Sequence, residues 1–414
     1  MRQKAVNISK GILRKEPNYV YYWLYFLRGL GFGFVAPIYT VFLFSQGFDA
    51  FQASLINLVF VLGNVIFQIP AGALADAWGR RKTFLVSSIF HVSCFFIYAI
   101  GKSWQLFVVA ELFSALGFVL MTGILEAWVV DRWGDFKHAG SGKSQEYGFL
   151  FSRAETAANI ASIFGGLAGA LVATISLRIP LMLAGLVFLA IFFISLNLME
   201  EKWEKTRISL KKIILKSANI AKIGTKTSLQ NPIIWRVALF ASLSMMGFKA
   251  IDMFWSKRFF DLAGSKVWVT GYIWVFISLF MIVGNNLIKI WADKKKDYLL
   301  GFKINIIFAS LMIFLSTLFS NFYPAVLFFL FYEITRGVQR PGLFGYFNKV
   351  IKDSEKRATI LSFSISTTWF GGAIGLLTLG WLAKQYSIEL AWQAGAVILL
   401  LSLVPITLLK NKVS

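Results

Sequence analysis

Residues 72–82 read Gly-Ala-Leu-Ala-Asp-Ala-Trp-Gly-Arg-Arg-Lys and lie between two long apolar stretches. In this segment Asp76 is followed by a turn-forming glycine, Gly79, and then by the cations 80–82. A short charged loop between two apolar segments of spanning length is typical of the corner between two transmembrane helices. The segment therefore predicts a membrane protein with a charged latch at a helix–helix corner.

The composition agrees with a membrane protein. The 414 residues are 57% hydrophobic, 17% aromatic and only 15% charged, and their mean hydropathy is +0.67. A soluble domain of this length cannot bury so much apolar surface. The net charge of +22 would suggest nucleic-acid binding if it covered one soluble face, but the cations lie between the apolar runs. We therefore expect no nucleic-acid partner.

Cysteine and histidine are too sparse for a disulfide framework or a metal site. The single cysteine, Cys94, lies in an apolar run, and the two histidines, His91 and His138, are far apart. Neither an intrachain disulfide nor a zinc site fits this pattern. We expect no cofactor and no bound metal.

Apolar runs of spanning length predict twelve transmembrane helices, and hence an all-α membrane protein. Several runs are longer than a bilayer requires, which indicates tilted helices or ends that reach into water. The predicted spans cover roughly residues 18–45, 53–75, 83–101, 105–131, 147–173, 179–198, 233–261, 268–291, 298–320, 324–349, 358–383 and 391–409.

The distribution of Lys and Arg sets the orientation of the predicted spans. With the N-terminus inside, the inner segments carry about 28 cations and the outer segments about 6. Inner loops of membrane proteins are enriched in cations. We therefore predict that both termini are cytoplasmic, in a multi-pass protein of a prokaryotic inner membrane.

The chain divides near its middle. Residues 199–232 form the longest polar interval, and their apolar residues among many lysines predict an amphipathic helix on the inner membrane surface; a solvated linker is the alternative. We predict an N-terminal six-helix bundle (1–198), this linker (199–232) and a C-terminal six-helix bundle (233–414). The second half echoes the first, since the acid and following cations of the first loop recur at Asp293 and residues 294–296. The echo favours two pseudo-symmetric bundles.

The loop signature resembles that of the major facilitator superfamily. Gly72, Asp76, Gly79, Arg80 and Arg81 match its pattern of a glycine, an aspartate, a second glycine and two basic residues. With the span count and the degenerate copy at Asp293, the resemblance covers essentially the whole chain. Within the superfamily, the chain is similar to the prokaryotic drug:proton antiporters.

Two departures from that branch concern the proton relay. The branch usually carries an arginine in the first half of helix 4, where this chain has Phe113, and a glycine-proline signature in helix 5. Residues 162–169 keep the glycines but contain no proline. The usual proton-relay scheme therefore does not carry over unchanged.

The resemblance and the physics of the loop suggest a gate. Asp76 can meet a helix N-terminus or a cation, Gly79 permits a tight turn, and Gly72 permits close helix approach. The alternative is that the cations act only as a topology signal.

Ionisable residues inside spans are costly and are therefore functional candidates. The resemblance implies that helices 1, 4, 7 and 10 line a central cavity, and most such residues fall on these four helices. We expect Arg28 to face Glu126 in the N-terminal half. In the C-terminal half we expect a charge cluster on the cavity wall, formed by Lys249, Asp252, Glu333 and Arg336. The candidates for substrate binding and proton coupling are Arg28, Glu126, Lys249, Asp252, Glu333, Arg336 and Arg340. An inner gate network is expected from Asp131, Arg132, Arg153 and Glu155. The alternative is that these pairs only fix helix packing.

The sequence shows no hydrolytic constellation and no P-loop, so we expect no enzymatic activity and no ATP-driven transport within this chain. The function indicated is proton-coupled export of amphipathic small molecules by a monomer in the lipid bilayer, with protons as the second substrate. Proton-coupled uptake or exchange of a polar metabolite or organic anion is the alternative. A non-transporting sensor or scaffold is a third reading, against which the lack of a soluble domain argues.

Overall fold

The computed structural model describes residues 17–136, 143–201, 222, 225–226, 228–295, 298–350 and 354–408. The described part is helical, and no strand occurs in it. The helices are α1 Pro17–Val35, α2 Tyr39–Ser45, α3 Ala50–Trp78, α4 Arg80–Ile100, α5 Trp104–Met121, α6 Ile124–Phe136, α7 Lys143–Val172, α8 Ile179–Leu198, α9 Pro232–Leu262, α10 Trp268–Lys295, α11 Tyr298–Leu318, α12 Phe322–Val350, α13 Ser354–Gln385, α14 Ile388–Leu401 and α15 Leu403–Thr407. The prediction of an all-α membrane fold is confirmed.

Eleven segments in the described part of the chain are long and apolar enough to cross a membrane. The remaining long helix, α12, has 29 residues and carries Glu333 and Arg336 in its middle. Its length still suits a spanning helix, since about 20 residues cross the hydrocarbon core. Its position as the tenth of twelve long segments agrees with the predicted fold.

Three predicted spans are interrupted helices. The first is divided into α1 and α2 by a turn at residues 36–38, and the last into α14 and α15. The fourth is divided into α5 and α6 at residues 122–123, where Gly123 has a φ of +78°. Hydropathy reports only that a segment is apolar, so it does not detect a break of one to three residues. The predicted amphipathic helix in the linker lies almost entirely outside the described residues.

The chain forms two compact units. One comprises residues 1–37 and 67–214, and the other comprises residues 38–66 and 215–414. This grouping divides α3 between the units. The division into two six-helix bundles joined by a linker remains a prediction, since a grouping by proximity does not define the domain boundaries.

The same helix pairs pack in both units. In the first unit α1 packs on α7, α4 on α5, and α4 on α8. In the second unit the corresponding pairs are α9 with α13, α11 with α12, and α11 with α14. Each pair joins helices at equivalent places in the two halves of the chain. This agreement is what a duplicated architecture requires.

Glycines bring the backbones of α1 and α7 into direct contact. A Cβ added at Gly33 would lie 2.6 Å from the Ser162 carbonyl oxygen, and one at Gly165 would lie 2.6 Å from the Leu30 carbonyl oxygen. Gly29 meets the carbonyl of Ala158 still more closely. Small residues permit such close approach in membranes, where packing rather than hydrophobicity associates helices. We call this contact the first glycine seam.

The second unit has an equivalent contact between α9 and α13. A Cβ added at Gly375 would lie 2.5 Å from the Met246 carbonyl oxygen, and Gly371 lies against the carbonyl of Ser242. We call this contact the second glycine seam. The two seams occupy equivalent helix pairs, so each half is assembled around the same kind of backbone contact.

Each unit also has an arginine that binds the carbonyl end of its third spanning helix. Arg178 donates through Nη1 to the carbonyls of Ala99 at 2.7 Å and Gly101 at 2.9 Å. Arg258 donates through Nη2 to the carbonyl of Ser316 at 2.9 Å. The last carbonyls of a helix lack intrahelical partners and carry partial negative charge, so a guanidinium stabilises them.

Residues 38–66 pack on helices from the second half of the chain. The Thr40 hydroxyl donates to the Met253 carbonyl, and Lys384 pairs with Asp49 at 3.0 Å. Partial burial raises the pKa of Asp49, but hydrogen bonds, including one from Lys384, outweigh burial and hold that pKa below its usual value. These polar contacts attach the residues after α1 to α9 and α13.

We expect Gly33→Ala to destabilise the protein by about 1–3 kcal/mol, because the added methyl group overpacks a backbone contact that cannot yield without moving a helix. Thermal unfolding in detergent measures the effect as a lowered midpoint. Gly148→Ala is the matched control, since nothing lies within 4 Å of a Cβ built there. Equal midpoints for the two variants would show that the seam does not limit stability.

Candidate functional site

The charged loop of residues 72–82 is a one-residue corner between α3 and α4. Gly79 alone separates the two helices and has a φ of +88°, a conformation that favours glycine. The predicted tight turn is therefore present. Gly72 does not mediate a close helix approach, because nothing described lies within 4 Å of a Cβ built there.

Two acids bind Arg80 and Arg81 of this corner, one through their backbone and one through a side chain. Glu201 accepts hydrogen bonds from the backbone N–H groups of Arg80 at 2.6 Å and Arg81 at 3.1 Å. The Arg80 guanidinium pairs with Asp131 at 2.9 Å, and Arg81 donates to the Leu196 carbonyl at 2.6 Å. A carboxylate on the first N–H groups of a helix satisfies orphan donors and complements the helix dipole. These contacts therefore fix the start of α4, whereas Asp76 at the end of α3 is exposed.

Glu200 and Glu201 are further residues of this site, which the sequence alone did not predict. They follow α8 directly, and Glu200 pairs with Arg132 at 3.0 Å. The available signal was their position, since two adjacent acids end the sixth span close to where an inner loop begins. Because most inner charges are positive, an adjacent acidic pair there favours a cationic or helix N-terminal partner.

The expected inner gate network does not form as a single cluster. Its four residues have separate partners: Asp131 pairs with Arg80 and Arg132 with Glu200, as described above. Glu155 pairs with Arg28 at 3.5 Å, and the Arg153 guanidinium lies 4.1 Å from the centre of the Phe149 ring. Their closeness along the chain did not reveal that each side chain leaves its helix in a different direction.

A second set of charges lies at membrane depth in the first unit. The Tyr25 hydroxyl donates to Oε1 of Glu126. The Arg28 guanidinium lies 4.0 Å from the centre of the Tyr25 ring and pairs with Glu155 rather than with Glu126. The expectation that Arg28 faces Glu126 is therefore corrected, because Tyr25 contacts both and Glu155 takes the ion pair. We call Tyr25, Arg28, Glu126 and Glu155 the first charge set.

The position of Glu126 follows from the break in the fourth span. Glu126 lies in the first turn of α6, directly after the interruption at Thr122 and Gly123. The N-terminal turn of a helix carries partial positive charge and favours an anion. Half-helices of this kind mark substrate and ion sites in many transporters.

The second unit holds the corresponding charges on α9 and α12. Arg336 pairs with Asp252 at 3.0 Å, and its guanidinium lies 4.6 Å from the centre of the Phe248 ring. Glu333 is 7% exposed, and among the described residues no hydrogen bond to its carboxyl group is found. Asp252 and Arg336 thus form a pair, and Glu333 lies three residues before Arg336 on α12. We call these three residues the second charge set.

Lys249 contacts the second glycine seam. It is on the face of α9 that packs against α13, where its Cβ is 3.1 Å from a Cβ built at Gly375. The side chains of Arg340 and Asp293 lie outside the described part of the structure. Their predicted roles remain predictions.

Glu111 serves helix packing. It is 4% exposed and accepts a hydrogen bond of 2.6 Å from the Tyr98 hydroxyl on α4. This contact joins α4 to α5.

A family model described as Major Facilitator Superfamily matches residues 21–355 of the chain. The match includes the loop of residues 72–82, both glycines of the first seam on α1, and both charge sets. It therefore extends over most of the chain and over every described candidate site residue.

Two curated relatives have modest identity. The quinolone resistance protein NorA of Staphylococcus aureus (strain MSSA476) is 23% identical over 367 residues, which are 87% of this chain and 88% of that protein. The uncharacterized MFS-type transporter YxaM of Bacillus subtilis (strain 168) is 28% identical over 110 residues, which are 27% of this chain and 28% of that protein.

Solved transporter structures share the fold. The nucleoside transporter NupG superposes with a TM-score of 0.74 at 13% identity, covering 95% of this chain and 100% of that chain. The human organic anion transporter MFSD10 (TETRAN) superposes with a TM-score of 0.64 at 15% identity, covering 94% of this chain and 98% of that chain. At these identities the likeness concerns the fold alone.

Proposed function

Because the chain belongs to the Major Facilitator Superfamily, we propose that it is a secondary transporter that exports amphipathic small molecules in exchange for protons, by alternating access. It acts as a monomer in a prokaryotic inner membrane with both termini cytoplasmic, an orientation supported by the excess of inner cations. The likeness to a quinolone resistance protein over 87% of the chain supports a drug-like substrate.

The observation that carries the proposal is a carboxylate–arginine set at membrane depth in each unit. Asp252 with Arg336 and Glu126 with its neighbour Tyr25 occupy helices that the family resemblance assigns to a central cavity. Such charges are costly in a membrane and are retained where they have a function. Export driven by protons requires a group that binds and releases a proton at this depth.

A buried carboxylate supplies this group. Desolvation favours its protonated form, whereas a neighbouring cation or donor favours its ionised form. A change of helix packing that alters either influence therefore moves a proton. In the first unit Glu126 is the candidate, and in the second unit Asp252 or Glu333.

The cations are less suited to an anionic substrate. Arg28 and Arg336 are each already paired with a carboxylate, at 3.5 Å and 3.0 Å. An organic anion would have to displace these acids, whereas a cationic or neutral amphipathic compound would not. This arrangement supports export of such compounds over uptake of an organic anion.

Everted membrane vesicles test the direction of transport. With the lumen acidified by respiration and followed with acridine orange, we expect ethidium to release the proton gradient at least twofold faster than in vesicles lacking the protein. The reason is that transport of each ethidium molecule into the lumen is coupled to the movement of a proton out of it. Proton-coupled exit of a preloaded radiolabelled organic acid from the vesicle lumen, with no response to ethidium, would overturn export in favour of the alternative function.

We expect Glu126→Gln and Asp252→Asn each to reduce proton-driven transport at least tenfold, because an amide of similar shape cannot exchange a proton. Counterflow in proteoliposomes without a gradient should persist, since it needs no net proton movement. Glu111→Gln is the matched control, because Glu111 belongs to neither charge set. Unchanged proton-driven transport in both variants would reject these residues as coupling sites.

We also propose that Asp76 and Asp293 are gating residues of the two halves, with Gly72, Gly79, Arg80 and Arg81 completing the motif. The rigid base formed by Glu201 and Asp131 holds the corner, and exposed Asp76 is available for a contact that forms and breaks during transport. A carboxylate at a helix end can bind a helix N-terminus or a cation.

Asp76→Asn should shift the resting population of conformations, because an amide binds a helix N-terminus or a cation more weakly than a carboxylate does. Double electron–electron resonance between spin labels at the ends of α3 and α13 measures this shift. Lys102→Gln, at a loop distant in sequence from the motif, is the control. Identical distance distributions for Asp76→Asn and the wild type would leave the cations as a topology signal only.

A further inference from the structure

We propose that Tyr25 is the positioning residue for proton exchange at Glu126, acting by hydrogen-bonding the carboxylate while keeping Arg28 away from it. The inference rests on the proposed proton-coupled transport and adds a mechanism to it. Tyr25 would thus take part of the role that a direct pair between Arg28 and Glu126 was predicted to have.

The geometry places Tyr25 between a cation and an acid. Its side chain is 1% exposed, its hydroxyl donates to Oε1 of Glu126, and its ring lies 4.0 Å from the Arg28 guanidinium. A cation over an aromatic face is stabilised by the ring quadrupole. One side chain therefore contacts both charges without letting them form an ion pair.

Glu155 completes this separation. Its carboxylate lies 3.5 Å from the Arg28 guanidinium, so Arg28 forms its ion pair with Glu155 of α7 and not with Glu126. A cation paired with its own carboxylate stabilises a second carboxylate less than a single cation would.

One of the two carboxyl oxygens of Glu126 is unbound in the described structure. Oε2 is buried and has no hydrogen-bond partner among the described residues, while Oε1 is bound by Tyr25. Tyr21 and Tyr25 of α1 lie close to the Glu126 carboxyl group, and Arg28 and Glu155 lie close to Tyr21 in turn. Oε2 is consequently the atom that takes up the proton.

The Tyr25 hydrogen bond sets the balance between the two forms of the carboxyl group. A hydroxyl donor stabilises the ionised form and so favours release of the proton. Burial and the carboxylate of Glu155 favour uptake of the proton. Movement of α1 relative to α6 would change the first influence and leave burial in place, which couples helix motion to proton binding.

The pH dependence of proton-driven transport in proteoliposomes tests the inference. We expect Tyr25→Phe, which keeps the ring under Arg28 and removes the donor, to raise the pH of half-maximal transport by about 0.5–1 unit. We expect Glu155→Gln to lower it, because Arg28 loses its own acid and stabilises ionised Glu126. Side chains that only pack the helices would give no such opposite shifts.

Tyr19→Phe is the matched control, since Tyr19 is on the same helix and 45% exposed, and its profile should equal that of the wild type. A wild-type profile in Tyr25→Phe, with pH dependence lost in Glu126→Gln, would overturn the role of Tyr25 and leave proton coupling intact. A wild-type profile in Glu126→Gln would instead overturn the coupling proposal itself. If Tyr25→Phe does not fold, an unchanged profile in Glu155→Gln overturns the inference.

Discussion

Backbone contact between helices at glycine is the constraint on which the other features depend. The first glycine seam fixes α1 against α7 through Gly29, Gly33 and Gly165, and the second fixes α9 against α13. Because a backbone contact leaves no side chain to adjust, it determines the rotation and axial position of both helices. In the first unit this places Arg28 of α1 next to Glu155 of α7. The charge set is thus a consequence of the seam.

The charges then meet the requirement that the membrane imposes. Every described arginine at depth has a partner: Arg28 has Glu155, and Arg336 has Asp252. The acids exceed these pairs, since Glu126 and Glu333 receive no cation of their own in the described structure. Each charge set therefore holds one acid that is paired with an arginine and one that is not.

The sequence predicted the general features well and the partners poorly. Composition, span lengths and the motif from Gly72 to Arg81 were enough for the fold, since lipid restricts a spanning chain to a few solutions. The break before Glu126 was missed because hydropathy averages over it. Arg28 was assigned to Glu126 because both are charges on spans predicted to line the cavity. Helix rotation decides the partner, however, and rotation depends on contacts between residues far apart in sequence. Glu201 was missed because its role exists only beside the N-terminus of α4.

The partnership of Arg28 with Glu155 also has a consequence for synthesis. Arg28 lies about 16 Å along α1 at 1.5 Å per residue, near the middle of a hydrocarbon layer of about 30 Å. Its acid is synthesised about 130 residues later, which is roughly 6–25 s at ribosomal speed. During that interval Tyr25, one turn away on the same helix, is the partner already present. The order of insertion therefore gives Arg28 the Tyr25 ring as its first partner and Glu155 as its second.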